Sequence, residues 1–216
     1  MTRPKLSLTL GTGYSGKSYL QGWLAAHLNR PFSVIVHTHI DSSYLIHIDN
    51  ARTKFFLVGT PGPTISADFL NRVRAKYKFC WFSIGALDDE EVERFIDSLS
   101  TALMSSQNAG LFIDEAHHFC AQGLVPRALK RLIRGGRHYG IDVFLASHGL
   151  TDIDIKLRKT LQQLFLFKLT EGRDLDNLPS EVRFDKNIAA KVAALPPEYF
   201  IMVDRRTSQV APPARI

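Results

Sequence analysis

The stretch Gly11-Thr12-Gly13-Tyr14-Ser15-Gly16-Lys17-Ser18 lies between two segments with different apolar spacing. Residues 6–10 form an apolar run typical of a strand, and residues 19–28 have the spacing of a helix. A strand, a glycine-rich turn and Gly-Lys-Ser at a helix start are the context that a phosphate-binding loop requires. Backbone N–H groups of such a turn surround the phosphate, and the helix dipole favours negative charge there. We therefore predict nucleotide-binding residues at Gly11, Thr12, Gly13, Tyr14, Ser15, Gly16, Lys17, Ser18 and Tyr19.

Two residues at the helix start have predicted roles of their own. Lys17 would reach the β- and γ-phosphates of ATP, and the Ser18 hydroxyl would ligate the Mg²⁺ ion that bridges them. The same glycines also spell G-x-G-x-x-G, the dinucleotide-binding fingerprint, for which Asp41 has roughly the right spacing. That fingerprint does not need Lys-Ser after its last glycine, so the pattern favours a nucleoside triphosphate.

The composition is that of an ordinary folded chain with a basic excess. Of 216 residues, 45% are hydrophobic and 22% charged, which is enough apolar material for a sizeable core. The net charge of +6 suits a nucleic-acid partner without demanding one. Cys80 and Cys120 have neither metal-ligand nor redox spacing, and no secretory or membrane-spanning stretch is recognised. We therefore expect a cytoplasmic protein with no integral membrane segment.

Predicted strands alternate with predicted helices along the whole chain. This alternation indicates an α/β fold with a mostly parallel sheet, and we expect one domain over residues 1–216, with a core at about 5–170 and an extension at 171–216. The predicted strands are 6–10, 32–36, 55–58, 79–84, 110–115, 141–148, 164–169 and 199–203. The predicted helices are 19–28, 66–77, 88–107, 126–138, 153–163 and 185–194.

A second pattern, Asp114-Glu115, follows the apolar run 110–113. An aspartate at the end of a buried strand is placed to hold Mg²⁺ beside the phosphates, as a Walker B motif does. The glutamate that follows is suited to act as a general base on the attacking water, which indicates hydrolysis. Asp114-Glu115-Ala116-His117 also spells the DEAH box of helicases, but those need a second similar domain, for which we see no room. We also find no Asn-Lys-x-Asp stretch to support GTP specificity.

A third pattern is the cationic helix at 126–138, followed by the strand at 141–148. An arginine from this helix could complete a neighbouring subunit's site and stabilise charge on the transferring phosphoryl group. Our first candidate is Arg137 and our second is Arg134. A solvated basic helix face is the simpler explanation. Ser147 and His148 stand at the strand tip, where a polar sensor of the γ-phosphate would belong.

Together these three patterns resemble the HerA/FtsK superfamily of P-loop ATPases, and within it the genome-packaging ATPases of tailless icosahedral viruses with an internal membrane. The resemblance covers roughly residues 5–170. It implies a RecA-like core with strand order 5-1-4-3-2, a ring homo-oligomer, expected to be a hexamer, double-stranded DNA in its centre, and a capsid or portal-vertex partner. The family usually has Gln at the position of His148, so this chain departs from the family pattern at the predicted sensor.

The sequence thus predicts an ATP-hydrolysing motor that packages viral double-stranded DNA into a preformed capsid. The alternatives are a cellular or plasmid translocase, a nucleotide-gated phage assembly protein of the zonula-occludens-toxin type, and a small-molecule kinase. Candidate DNA contacts are Arg72, Arg74, Lys76 and Lys78, or Arg127, Lys130 and Arg131, each of which is equally compatible with a solvated surface. His37, His39 and His47 could hold a metal ion. Asp41 and Ser43 are interpreted as residues at the edge of the nucleotide pocket.

Overall fold

The computed structural model of the chain describes residues 5–28, 30–38 and 42–216. Within these ranges the strands are β1 (Leu6–Leu10), β2 (Ser33–His37), β3 (Thr53–Leu57), β4 (Phe79–Ser83), β5 (Gly110–Ile113), β6 (Asp142–Ser147), β7 (Gln163–Phe167), β8 (Tyr199–Asp204), β9 (Gln209–Val210) and β10 (Ala214–Arg215). The helices are α1 (Lys17–His27), α2 (Ser42–Leu45), α3 (Ala67–Arg74), α4 (Asp89–Ser106), α5 (His117–Cys120), α6 (Arg127–Tyr139), α7 (Ile155–Thr160), α8 (Gly172–Glu181) and α9 (Ile188–Ala193), with a 3₁₀ turn at Asn50–Arg52.

All ten strands belong to one sheet, in the order β10-β8-β7-β1-β6-β5-β2-β4-β3, with β9 also paired to β8. Every pair from β7 to β3 is parallel, whereas β8 runs antiparallel to β7, β9 and β10. The segment β7-β1-β6-β5-β2 has the predicted order 5-1-4-3-2 when its five strands are counted along the chain. The prediction of a mostly parallel α/β sheet is confirmed, and the sheet extends beyond this core at both edges.

The central strands are buried on both faces, which is why their sequences are almost continuously apolar. In β2, Val34 and Val36 pack into the larger apolar cluster, which also contains residues of α3, α4 and α6. Ile35 points the other way, into a cluster closed by α1 and α2. Helices therefore cover both faces, and the carboxyl ends of β1, β2, β5 and β6 meet at one edge of the sheet.

The helix ends follow signals that are readable in the sequence. Asp88 and Glu91 form a reciprocal capping box at the start of α4, as the acidic first turn suggested. The Ser66 side chain accepts a hydrogen bond from the Phe69 N–H at the start of α3. Gly140, with φ 68°, ends α6 in the left-handed conformation. Most of the predicted helices therefore begin and end within a few residues of their predicted bounds.

The segment after β7 contains the largest departures from the predicted elements. Helix α8 lies outside the predicted elements, and Pro179 inside it weakens the helix signal of its highly charged sequence. Its Asp174 is buried and accepts hydrogen bonds from the Thr151 N–H and hydroxyl, at 2.8 and 2.9 Å. The predicted helix at 153–163 is shorter, at Ile155–Thr160, and the two-residue strands β9 and β10 were also not predicted. None of the helices in the described ranges combines the length and the apolar character that a membrane span requires.

Candidate nucleotide-binding site

The glycine-rich loop connects β1, in the middle of the sheet, to the start of α1. Gly16 has φ 103°, a conformation that residues with a Cβ rarely adopt. A Cβ on Gly11 would lie 2.6 Å from both Phe167 Cβ and Ser15 Oγ, so this position also requires glycine. The loop therefore contains two positions that require glycine, directly before an eleven-residue helix.

Lys17 is held inside this loop. Its ammonium donates hydrogen bonds to the carbonyl oxygens of Gly11 and Thr12, at 2.8 and 2.9 Å. Burial lowers the pKa of Lys17, and the nearby negative charges of Asp114 and Glu115 partly oppose that shift. The cation is thus anchored where a phosphate between the loop and the helix would meet it.

Asp114 sits at the end of β5, opposite Ser18 at the start of α1. The Ser18 hydroxyl donates to Asp114 Oδ2 at 2.7 Å, and the Glu115 N–H donates to Asp114 Oδ1 at 2.9 Å. His37 Nε2 lies 3.0 Å from Asp114 Oδ2. Burial alone would raise the pKa of Asp114. The net shift is downward, because His37 contributes a hydrogen bond and a favourable charge, and Ser18 and the Glu115 N–H donate two further hydrogen bonds. The carboxylate is therefore ionised and can serve as a metal ligand.

Glu115, the predicted base, projects into the same cavity from a strained backbone position with φ 51°. The Thr38 hydroxyl donates to its Oε2 at 2.7 Å. His148 Nε2 lies 3.9 Å from Oε1, and His118 Nε2 lies 3.8 Å from Oε2. One carboxylate oxygen is therefore oriented by Thr38, while Oε1 faces the side of the predicted sensor.

His37 and Thr38 are site residues whose contacts with the acidic pair the sequence reasoning missed. Both follow from the register, because Val36 of β2 is paired with Ile113 of β5. The next residues of these parallel strands therefore emerge side by side with Asp114 at the carboxyl edge. The polar residues at the end of β2 are the sequence signal for these contacts, but they indicate contact with Asp114 and Glu115 only when β2 is paired with β5.

Three histidine rings lie close together beside Glu115. The ring centroid of His117 lies 4.3 Å from that of His118 and 5.2 Å from that of His148. Burial lowers the pKa of His117, as do the charges of His118 and His148, while Glu115 and Asp152 oppose the shift. His118 is exposed and His117 is half-buried. This cluster places three imidazole rings beside the acidic pair.

A cavity of about 700 Å³ unites these groups. It is lined by loop and helix residues 13–19 together with His37, Ser43, Asp114, Glu115, Ser147 and His148. Ser147 donates its hydroxyl to the Gly149 carbonyl at 3.1 Å. The predicted loop, acidic pair and strand tip therefore meet in one place, and Gly11 and Thr12 contribute through their carbonyl contacts with Lys17.

Arg134 and Arg137 do not line this cavity. Helix α6 leads directly into the first residue of β6, so its C-terminal end, with Arg137, lies at the edge of the sheet opposite the cavity. Arg134 lines a separate cleft of about 220 Å³ between α6 and α7. Neither arginine is placed to serve its own chain's site.

The two sets of candidate DNA contacts differ in their surroundings. Arg74 donates to the Ser106 and Gln107 carbonyls, and the Lys78 ammonium donates to the Ala26 carbonyl at 3.3 Å, so both have structural partners. Arg127 and Arg131 are exposed on α6. Arg72 and Lys76 are exposed as well, so both sets contain two exposed cations.

The histidine metal site receives no support in the described part of the chain. His39 and Asp41 lie outside the described residues, and His37 is beside Asp114. The His47 ring packs edge-on against Tyr19 with centroids 4.2 Å apart. Among the described residues, no group of three or more His, Cys, Asp or Glu side chains is arranged to hold a metal ion.

The chain matches no family model and no curated protein sequence. It is similar in structure to the genome-packaging NTPase B204 of Sulfolobus turreted icosahedral virus 2 in complex with AMP, with a TM-score of 0.72, 20% identity and full coverage of both chains. It is also similar to B204, the DNA-packaging ATPase of Sulfolobus turreted icosahedral virus, with a TM-score of 0.71, 19% identity and full coverage. VirB4 of Thermoanaerobacter pseudethanolicus gives a TM-score of 0.69 at 10% identity, over 95% of this chain and 87% of that one. This chain therefore has the fold of the genome-packaging NTPases, as its sequence patterns predicted.

Proposed function

We propose that this chain is a Mg²⁺-dependent ATPase that drives double-stranded DNA into a viral capsid. The observation that carries the proposal is the meeting of Lys17, Ser18, Asp114 and Glu115 in one cavity. The fold, which the packaging NTPase B204 shares over its full length, supports the same function. We infer ATP as the substrate and DNA movement as the work done, and we place the protein in the host cytoplasm during assembly.

The residues present fit both a nucleotide and its metal ion. The cavity, at about 700 Å³, has the volume of a typical small-molecule site. The Ser18 and Asp114 oxygens lie 2.7 Å apart and are the hard ligands that Mg²⁺ prefers, so these two would hold it. Mg²⁺ bound there would neutralise charge on the β- and γ-phosphates.

The chain's own residues supply the remaining chemistry. Lys17 exchanges its carbonyl contacts for the phosphate oxygens, and the loop N–H groups hold the same phosphates. Glu115 takes a proton from water as the water oxygen bonds to the γ-phosphorus and the bond to the β–γ bridging oxygen breaks. Thr38 keeps the carboxylate oriented by occupying one of its oxygens. The products are ADP and inorganic phosphate, and His148, which lies 3.9 Å from Glu115 Oε1, would contact the phosphate that is released.

We infer that activity requires a ring, expected to be a hexamer. Neither Arg134 nor Arg137 reaches its own cavity, so an arginine that stabilises the transferring phosphoryl group would come from a neighbouring subunit. Exposed cations on α6, including Arg127 and Arg131, would hold DNA phosphates without reading bases. A capsid or portal protein would anchor the ring.

Glu115→Gln tests the hydrolytic assignment. It retains the loop, Lys17 and the metal ligands, so we expect nucleotide binding to remain and turnover to fall about 100- to 10,000-fold. Glu93→Gln makes the same chemical change on the exposed face of α4 and serves as the control. Binding is measured with a fluorescent nucleotide and turnover by phosphate release. Equal turnover of Glu115→Gln and the parent would reject Glu115 as the base.

Mixed rings test the shared arginine. Subunits with Arg134→Ala, or with Arg137→Ala, are combined with Glu115→Gln subunits, which retain their arginines but lack the base. We expect partial recovery of turnover in the mixture that contains the true donor, because an intact base then faces an intact arginine. No recovery with either arginine variant would argue against a site shared through α6.

A further inference from the structure

Tyr14 is the residue of the phosphate loop whose side chain has an unexpected environment. Its φ is 57°, in the left-handed region that glycine or asparagine normally occupies. The residue is 107% exposed, so the rest of the described chain gives the ring no cover. A large aromatic group in a strained and fully exposed position contributes nothing to the core, and such strain is concentrated at functional sites.

The position of Tyr14 limits what the ring could meet. It lines the nucleotide cavity between Gly13 and Ser15, beside the backbone that holds the phosphates. The other tyrosine of this cavity, Tyr19, already packs its ring against His47. The acidic pair and His148 mark the side where hydrolysis takes place. Among the described residues that line the cavity, Tyr14 is therefore the open tyrosine ring that a nucleotide bound there could meet.

We propose that the Tyr14 ring stacks on the nucleobase of the bound nucleoside triphosphate and makes the site tolerant of different bases. The inference rests on the proposed nucleotide-hydrolysing function and concerns the same cavity. Stacking uses the π-face that every base possesses, so it adds affinity without discriminating between bases. Among the described residues that line the cavity there is no asparagine or glutamine, the side chains that recognise adenine through paired hydrogen bonds. The substrate class is therefore nucleoside triphosphates in general, ATP among them.

Calorimetric titration with ATP, GTP, CTP and inorganic tripolyphosphate tests this proposal, in the Glu115→Gln background so that nothing is hydrolysed. Tyr14→Ala keeps a Cβ, and with it the same left-handed backbone cost, so its comparison with Tyr14 isolates the ring. We expect Tyr14→Ala to weaken all three nucleotides by roughly 5- to 100-fold and to leave tripolyphosphate binding within about twofold. Tyr14→Phe retains the π-face and should restore most of the lost affinity.

Each other outcome overturns a defined part of the reasoning. Equal weakening of tripolyphosphate would mean that the substitution damages the loop. Unchanged nucleotide affinity with impaired self-association in sedimentation would assign the ring to a subunit contact. Binding of ATP with no binding of GTP or CTP would refute base tolerance. Failure of the parent to bind any of the four ligands, at concentrations where it is folded, would instead reject the nucleotide site and the proposed function with it.

Discussion

Gly16→Ala perturbs the loop in a way whose cost can be worked out from the geometry. At φ 103° any residue with a Cβ is strained, which we set at about 1–2 kcal/mol. The new Cβ would also lie 2.1 Å from Ile216 Cδ1, at the end of a side chain that can rotate away for about 0.5–1.5 kcal/mol. Together these give a loss of about 1.5–3.5 kcal/mol in the free energy of unfolding.

The same substitution in an Ile216→Ala background separates the two costs. Without the Ile216 side chain the clash is removed, and the loss should fall to about 1–2 kcal/mol. Gly13→Ala is the matched control, because nothing lies within 4 Å of its Cβ position and we expect no loss of stability there. Urea unfolding measures all four variants. An equal loss in both backgrounds would show that Ile216 does not cover Gly16, and no loss in either would refute the left-handed conformation.

Two further predictions concern buried carboxylates outside the cavity. Glu181 pairs with Arg205 at 2.5 Å and with Arg158 at 3.5 Å. Glu181→Gln leaves these two largely buried guanidinium groups without a counter-charge, so it should lower the free energy of unfolding by about 3–5 kcal/mol. Glu198→Gln, in an exposed pair, should change it little in the same urea titration. Asp154 caps α7 and accepts hydrogen bonds from three backbone N–H groups. Burial alone would raise the pKa of Asp154, but these hydrogen bonds and the charge of a nearby lysine lower the pKa below its ordinary value. Its contribution is thus complete above about pH 4 and is lost as pH falls below that, so Asp154→Ala should cost about 1 kcal/mol at pH 7 and progressively less in acid. A gap between parent and variant that widens in acid would contradict this sign.

The parts of the site that the sequence predicts are those encoded by neighbours along the chain. Lys17 and Ser18 belong to a loop whose spacing alone predicts phosphate binding. Asp114 and Glu115 end a run of apolar residues, which is enough to place them at the carboxyl end of a buried strand. The strand order came from the resemblance of these motifs to a family, and the sheet contains it.

The parts that escaped prediction depend on contacts between distant segments. His37 and Thr38 reach the acidic pair only because β2 pairs with β5, about 77 residues further along the chain. Helix α8 forms despite Pro179 because Asp174 and Leu178 are buried against the rest of the fold, which local propensity does not reveal. The left-handed backbone of Tyr14 likewise cannot be read from its identity, since tyrosine does not favour that conformation.

The measurement that tests the central claim most directly is steady-state ATP hydrolysis across protein concentration, with and without double-stranded DNA. A motor with sites shared between subunits predicts a rate per subunit that rises steeply with concentration and rises further with DNA. A rate that is independent of both would contradict a DNA-driven ring motor, while leaving the nucleotide site itself in place.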